Sequence, residues 1–99
     1  MNIQKMMKDF QRKQSKVQEE IEALEIEGTA GGGAVTARMN GRKDLTALTL
    51  SHDAVTPDDL GLMQDLILAA VNDAGRRVDA EVQRKMEGLT GGLKIPGLS

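Results

Sequence analysis

The sequence predicts an α+β fold in which a three-stranded antiparallel meander lies between two long helices, in the chain order α-β-β-β-α. Three observations lead to this prediction. Apolar residues near the N-terminus recur at steps of three and four, which is the spacing of one helical face. The spacing changes to alternation between residues 24 and 51, as expected of half-buried strands. A helical pattern returns over residues 57–87.

Length and composition place the chain among small globular proteins. Its 99 residues suit one domain, which we predict over residues 1–88, followed by a mobile tail over residues 89–99. The chain has no cysteine, which excludes disulfides and thiolate metal sites. Because Phe10 is the one aromatic residue and six methionines are present, the core must be aliphatic and rich in methionine.

The first helix is predicted over residues 2–23. Its apolar residues alternate steps of four and three, which is typical of the narrow seam of a helix that packs in coiled-coil fashion. The polar residue Gln14 occupies one seam position, where it sets the packing register or faces a polar group of a partner. The seam consists of Ile3, Met7, Phe10, Gln14, Val17, Ile21 and Leu24.

Three short strands are predicted over residues 24–30, 33–40 and 43–51. In the second strand the apolar residues share one face, and these are Val35, Ala37 and Met39. The dipeptide Asn40-Gly41 before the third strand is typical of a type I′ turn, whose two central residues need positive φ.

The second helix is predicted over residues 57–87. Thr56 offers a hydroxyl for the N-cap, and Pro57 suits the first helical position. Asp58 and Asp59 place carboxylates at the positive end of the helix dipole, which accounts for them without a catalytic role. Gly88 is expected to end the helix.

The second helix also predicts a homodimer. A helix of this length spans about 45 Å, whereas a compact domain of about 100 residues has a radius of gyration of about 13 Å. Between Leu60 and Ala74 the helix is apolar on nearly every side, and one small sheet cannot cover all of it. A symmetric dimer would bury the excess. The residues expected in the interface are Leu60, Met63, Leu66, Ile67, Ala70 and Val71.

Two segments suggest catalytic or ligand chemistry but do not fit it. The glycine-rich stretch GTAGGGAV (residues 28–35) lacks the Lys-Ser or Lys-Thr of a P-loop and precedes a strand rather than a helix. We interpret it as a tight connection between the first two strands that can hold a bulge. Ser51-His52-Asp53 names the residues of a hydrolase triad, yet neighbours on an extended chain do not converge. We therefore expect no enzyme, metal, cofactor or small-molecule substrate.

Charge is segregated along the chain, although the net charge is only −2. Residues 1–18 carry five basic side chains against one acidic side chain, whereas residues 19–27 carry five glutamates. More basic residues follow on the second half of the second helix. Such clusters favour phosphate binding, and the lack of aromatic residues for base stacking favours double-stranded DNA. The predicted DNA-binding residues are Lys5, Lys8, Arg12, Lys13, Lys16, Arg76, Arg77, Arg84 and Lys85.

Several segments together resemble the YbaB/EbfC family of nucleoid-associated proteins, and the resemblance covers nearly the whole chain. It implies an α-β-β-β-α protomer, a tweezer-shaped homodimer, localisation to the bacterial nucleoid in the cytoplasm, and binding of double-stranded DNA through projecting helices. The segments that carry it are Gly28-Thr-Ala-Gly-Gly-Gly-Ala-Val35, Asn40-Gly41, Asp65-Leu-Ile-Leu-Ala-Ala-Val-Asn-Asp-Ala74, Met86, and Thr90-Gly-Gly-Leu93.

Two alternatives to DNA binding stay open at the level of sequence. Two long helices joined by a small sheet also describe prefoldin-like subunits, which hold protein clients at their helix tips. That interpretation predicts exposed apolar residues at the tips, for which Met6, Met7 and Met86 are candidates. RNA binding would use the same basic residues. We recognise neither a signal peptide nor an apolar run long enough to span a bilayer, and expect no membrane partner.

Overall fold

The structure, a computed structural model, describes residues 2–54 and 58–90 of the chain. A helix, three antiparallel strands and a second, longer helix follow one another, which confirms the predicted α-β-β-β-α order. The elements are α1 (Ile3–Glu22), β1 (Glu25–Ala30), β2 (Val35–Asn40), β3 (Leu45–Leu50), a short 3-10 helix (His52–Ala54) and α2 (Leu60–Thr90).

The core lies between the sheet and α2. The strand order is β1-β2-β3, so β2 is central, and the face predicted to be apolar in β2 is buried. α2 packs across this face, mainly over β1 and β2, and presents small residues that allow a close approach. The buried cluster consists of Val35, Ala37, Met39, Ala70, Ala74 and Val78.

The backbones of β1 and α2 touch at Gly28. A Cβ atom there would lie 2.6 Å from the carbonyl oxygen of Ala70 and would overlap the amide nitrogen of Ala74. Beside this contact, the carboxylate of Asp73 accepts a hydrogen bond of 3.0 Å from the backbone N–H of Thr29. The sheet and the part of α2 packed on it therefore form one unit, which we call the body.

The glycine-rich segment connects β1 to β2, as predicted. Gly31, Gly32 and Gly33 have φ of 65°, 69° and 93°, a region that other residues rarely adopt. The pairing of β1 with β2 continues without a shift in register, so this connection contains no bulge. The irregularity lies between β2 and β3 instead, at the Arg38/Met39 step.

The prediction of a type I′ turn at Asn40-Gly41 is wrong. Lys43, rather than Gly41, has positive φ, at 66°. The side chain of Asn40 accepts hydrogen bonds from the backbone N–H groups of Arg42 (2.9 Å) and Asp44 (3.0 Å), which stabilises a longer loop. Gly41 serves a close approach, because a Cβ atom there would overlap the carbonyl oxygen of Ile21 in α1.

α2 begins at Leu60, later than the predicted start at Pro57. Its cap is Asp59, whose carboxylate accepts a 3.0 Å hydrogen bond from the backbone N–H of Leu62. Thr56 and Pro57, the predicted cap and first helical residue, lie outside the described residues.

The predicted end of α2 at Gly88 is also wrong, because the helix continues to Thr90. Gly88 keeps a helical backbone and does not take the positive φ that usually ends a helix at glycine. The rest of the predicted tail, residues 91–99, lies outside the described residues.

α1 is covered by the body only near its C-terminal end. Along its seam, Ile21 is buried and Val17 is half-buried, whereas the part from Ile3 to Gln14 is exposed. The molecule is correspondingly elongated, measuring 69 × 27 × 16 Å with a radius of gyration of 19.0 Å. Neither helix in residues 2–54 and 58–90 has the length and apolar character needed to cross a membrane.

Candidate nucleic-acid interface

The basic residues of α1 are all available to a ligand. Lys5, Lys8, Arg12 and Lys16 lie along one side of the helix, with Lys13 beside them, and all five are exposed. Among the described residues, none of the five has an ion-pair partner. The side chain of Asn2 caps the start of this helix by accepting a 3.3 Å hydrogen bond from the backbone N–H of Lys5. Five positive side chains that form no ion pair among the described residues therefore line a projecting helix, and Asp9 is the one carboxylate in the same segment.

The arginines of α2 are also exposed, but each lies beside a carboxylate of the same helix. Asp73 pairs with Arg77 at 3.0 Å and with Arg76 at 3.8 Å, whereas Arg84 pairs with Glu81. These pairs join residues three or four positions apart, the separation that brings side chains together on a helix. The positive charge of this segment is therefore largely compensated within the chain.

Lys85 has a different environment, between the two helices. Its side chain is only 18% exposed, and its Nζ lies 3.5 Å from a carboxylate oxygen of Glu20 in α1. The lysine lines a groove with Val17 of α1 and Leu89 of α2, and its charge joins the two helices. This position suits a structural contact better than the predicted contact with DNA.

The structure brings together four of the nine predicted DNA-binding residues. α1 and α2 run antiparallel, so Gly88 and Leu89 lie next to Lys13, and Lys85 lies next to Glu20. Lys5, Lys8 and Arg12 lie further along α1, whereas Arg76 and Arg77 lie nearer the sheet. The four that share one shallow groove are Lys13, Lys16, Arg84 and Lys85.

Two carboxyls on α2, those of Asp73 and Glu81, have lowered pKa values. The pKa of the Asp73 carboxyl lies below its ordinary value because the Thr29 N–H and, to a smaller extent, the Arg77 guanidinium stabilise the carboxylate. The hydrogen bond with Arg84 lowers the pKa of Glu81 and raises that of Arg84 in turn. These carboxylates therefore stay ionised near neutral pH and keep their arginines paired.

Most residues of the predicted dimer interface lie on a partly covered flank of α2. Leu60 is exposed, whereas Met63, Leu66, Ile67 and Val71 are half-buried. Ala70 is a correction to the prediction: it is fully buried in the core of the protomer, because α2 packs on the sheet there. It has no surface left to offer a second chain.

Sequence reasoning missed two features of this surface. The first is the set of acidic partners, Asp73, Glu81 and Glu20, of which the first two could have been found from their helical spacing to the arginines. The second is β3, whose Leu45 and Leu48 are 47% and 38% exposed because α2 covers mainly the other two strands. The leucines of β3 were visible in the sequence, but not which strands the helix would cover.

Comparison with known proteins gives a consistent result. A sequence model of the YbaB/EbfC DNA-binding family matches residues 1–93. A nucleoid-associated protein of Chloroflexus aurantiacus is 47% identical over 92 residues, which cover 93% of this chain and 92% of that protein. A nucleoid-associated protein of Clostridium novyi is 46% identical and covers 99% of this chain and 89% of its own length.

A solved structure shows the same fold at low sequence identity. The crystal structure of an uncharacterised protein from Helicobacter pylori superposes with a TM-score of 0.72 at 20% identity. The match covers 92% of this chain and 99% of that one. The arrangement of two helices around a small sheet is therefore shared with a protein of only 20% sequence identity.

Proposed function

The chain belongs to the YbaB/EbfC DNA-binding family, and on this premise we propose that it binds double-stranded DNA as a homodimer, largely without sequence specificity. The family is a nucleoid-associated DNA-binding family and not a family of enzymes. In this proposal the protein acts at the bacterial nucleoid, in the cytoplasm, where it contributes to chromosome organisation and gene regulation. The observation that carries it is the row of exposed cations on α1, which form no ion pair within residues 2–54 and 58–90.

Free cations matter because phosphate binding is driven mainly by the release of counterions from DNA. A lysine that already pairs with a carboxylate gains less from a phosphate than one that faces only water. The contacts that α1 can make are to the DNA backbone, which fixes position but does not read the bases. Since Phe10 is the one aromatic residue, stacking on unpaired bases has little support, and duplex DNA is the better ligand.

The homodimer is supported by uncovered apolar side chains near the body. Leu45 and Leu48 of β3 are exposed, and so are Leu60, Leu62 and Leu68 of α2. Several large apolar side chains left exposed on so small a body favour a protein interface. A second copy of the same chain would cover them through a symmetric contact, leaving one α1 arm to project from each protomer.

The proposal is tested by fluorescence anisotropy of a labelled random-sequence DNA duplex over a series of salt concentrations. We expect binding whose logarithm falls with the logarithm of salt concentration with a slope of several units. The Lys5→Glu/Lys8→Glu/Arg12→Glu variant should lose binding while its mass in sedimentation stays that of the wild type. Unchanged DNA affinity in this variant would contradict the proposal, and an RNA duplex in the same titration separates DNA from RNA binding.

A protein-interaction module of the prefoldin-like kind is the second candidate, because α1 also exposes apolar residues. Ile3, Met6 and Met7 are 68%, 56% and 58% exposed near the tip of the helix, and Met86 is exposed on α2. If this candidate is right, an unfolded client protein should bind with higher affinity than DNA and should displace DNA from the wild-type protein.

A further inference from the structure

α1 has an apolar surface that the proposed DNA contact does not use. Its first turns expose large apolar side chains, and we call this surface the apolar arm face. Such side chains on a projecting helix are costly to leave in water unless another group covers them. The residues that line the shallow groove on this face are Ile3, Met6, Met7, Phe10, Gln11 and Gln14.

The end of α2 lies against the turns of α1 that follow the apolar arm face. Leu89 lines one groove with Lys13 and Val17 of α1. Phe10 lies seven residues before Val17, and Met6 lies seven residues before Lys13. Because residues seven apart share nearly the same side of a helix, the apolar arm face continues the side of α1 on which α2 packs.

α2 ends where this face begins. The two helices run antiparallel, and Nζ of Lys85 lies 3.5 Å from a carboxylate oxygen of Glu20. Thr90, the last residue of α2, is therefore about level with Ser15 of α1. A second helix that followed the seam of α1 past this level would meet the end of α2. A segment that starts from Thr90 meets no such obstacle.

Residues 91–99 have the length and the composition to cover the apolar arm face. Nine residues span at most about 30 Å when extended, and Ile3 lies about 18 Å along the helix axis from the level of Ser15. Gly91 and Gly92 follow α2 directly and permit a change from helical to extended backbone. Lys94 is the one charged side chain of the segment, and its apolar residues and proline are Leu93, Ile95, Pro96 and Leu98.

We propose that residues 91–99 dock on the apolar arm face of the same chain and hold α1 against α2. In an extended segment alternate side chains share a side, so Leu93 and Ile95 face the groove and Lys94 faces the solvent. Because the segment is tethered at Thr90, its effective concentration at the face is high. In this arrangement the tail expected from its sequence to be mobile is held on α1.

Docking of this segment leaves the basic side of α1 open. At about 100° per residue, the apolar arm face lies about 170° around the helix from the mean direction of Lys5, Lys8 and Arg12. The docked segment and a DNA duplex would therefore use opposite sides of one helix, and the inference does not rest on DNA binding. It opposes the prefoldin-like candidate, because a client protein would have to displace the segment.

The first test is disulfide formation within the full chain, which has no cysteine of its own. Ile95 can lie up to about 16 Å from Thr90, and Met6 lies about 14 Å along the axis from the level of Ser15. Met6→Cys/Ile95→Cys therefore places two thiols in reach of each other. Lys8→Cys/Ile95→Cys is the matched control, because Lys8 lies at nearly the same level on the opposite side of α1.

We expect the internally linked chain to form at least tenfold faster in Met6→Cys/Ile95→Cys than in the Lys8 control, as measured by non-reducing electrophoresis and mass spectrometry. Equal rates would overturn the inference. Chains linked to each other rather than internally would also overturn it, because the apolar arm face would then be covered by another chain.

A second test uses the oxidation of Met6 and Met7 by hydrogen peroxide, which converts accessible thioethers to sulfoxides. Leu93→Ser/Ile95→Ser should raise the oxidation rate of both methionines at least threefold over the wild type, because the docked segment is lost. Lys94→Gln, in the same segment, should leave the rate unchanged. Circular dichroism checks that each variant keeps its helix content. An unchanged rate in Leu93→Ser/Ile95→Ser would show that the segment does not cover the face.

Discussion

The two helices carry basic residues in different ways. On α1 the five cations are exposed and, among the described residues, have no carboxylate partner. On α2 the arginines are equally exposed, but each lies against Asp73 or Glu81, and Lys85 pairs with Glu20. An anion site is therefore located by the basic side chains that remain unpaired after folding, rather than by the number of basic residues.

The pairs on α2 do not forbid contact with DNA. An exposed ion pair contributes only about 0.2–1 kcal/mol, so a phosphate could displace a carboxylate from an arginine. However, the carboxylate remains nearby and repels the phosphate, which lowers the gain. We therefore expect α1 to supply most of the DNA affinity and α2 to supply a smaller part.

The largest effect should come from removing charge on one helix at a time. Lys5→Gln/Lys8→Gln/Arg12→Gln should weaken DNA binding by about 10²–10³-fold at low salt and reduce the salt slope by about three. Arg76→Gln/Arg77→Gln/Arg84→Gln removes the same formal charge but should reduce the slope by less than half as much. Both are measured by anisotropy, and equal reductions would contradict the difference between the helices.

The next largest effect concerns the free energy of unfolding and tests the close packing of α2 against β1. Gly28→Ala should lower the free energy of unfolding by about 3 kcal/mol, because the new methyl group meets the backbone of α2. The same substitution at Gly88, where a Cβ atom meets nothing within 4 Å and the backbone is helical, should raise it by about 0.5–1 kcal/mol. Urea unfolding followed by circular dichroism measures both. A neutral Gly28→Ala variant would mean that the close approach is not required.

A smaller effect should follow when a paired arginine is released. Glu81→Gln removes the carboxylate that holds Arg84, so α2 should come to resemble α1. We expect DNA affinity to rise by about three- to tenfold at low salt, with the salt slope increased by about one. Gln83→Glu, which adds a carboxylate to the same helix, is the opposite control and should weaken binding. No gain in Glu81→Gln would show that pairing does not limit the role of α2.

The smallest effect concerns pH and the Asp73 contact between β1 and α2. The pKa of this carboxyl is lowered in the folded protein, so the folded state binds fewer protons than the unfolded state in acid. The stabilisation is therefore complete above the unfolded value of about 3.9 and is lost as pH falls through the lowered folded pKa. Asp73→Asn keeps an acceptor for Thr29 but not the charge. The urea midpoint of the Asp73→Asn variant should lie below that of the wild type at pH 7. The difference between the two midpoints should become smaller at pH 3, and a difference that does not change with pH would contradict this account.

Much of the fold could be predicted because local patterns determine it. The change of period from helical to alternating and back gave the order of the elements, and the apolar face of β2 was identified residue by residue. The sequence predictions failed where one residue type can serve two structural purposes. Gly41 was interpreted through its backbone freedom, whereas the structure uses its missing side chain to bring the loop against Ile21.

The candidate site could be predicted less completely, because charge compensation depends on neighbours in space. The contact between Lys85 and Glu20 joins residues 65 positions apart, and no local pattern indicates it. Ala70 was expected at an interface between chains but lies in the core, because the sequence shows that a residue is apolar and not what covers it. The exposed face of β3 was missed for the same reason.

The position of Phe10 has a spectroscopic consequence. The chain contains no tryptophan or tyrosine, and Phe10 is its one phenylalanine. This phenyl ring lies on α1, where it is 42% exposed, and the body contains none. The proton resonances of that ring therefore report on α1 without contributions from other phenyl or indole groups. Chemical shifts and line widths of one side chain would register what binds the arm, and the unmodified protein already contains this probe.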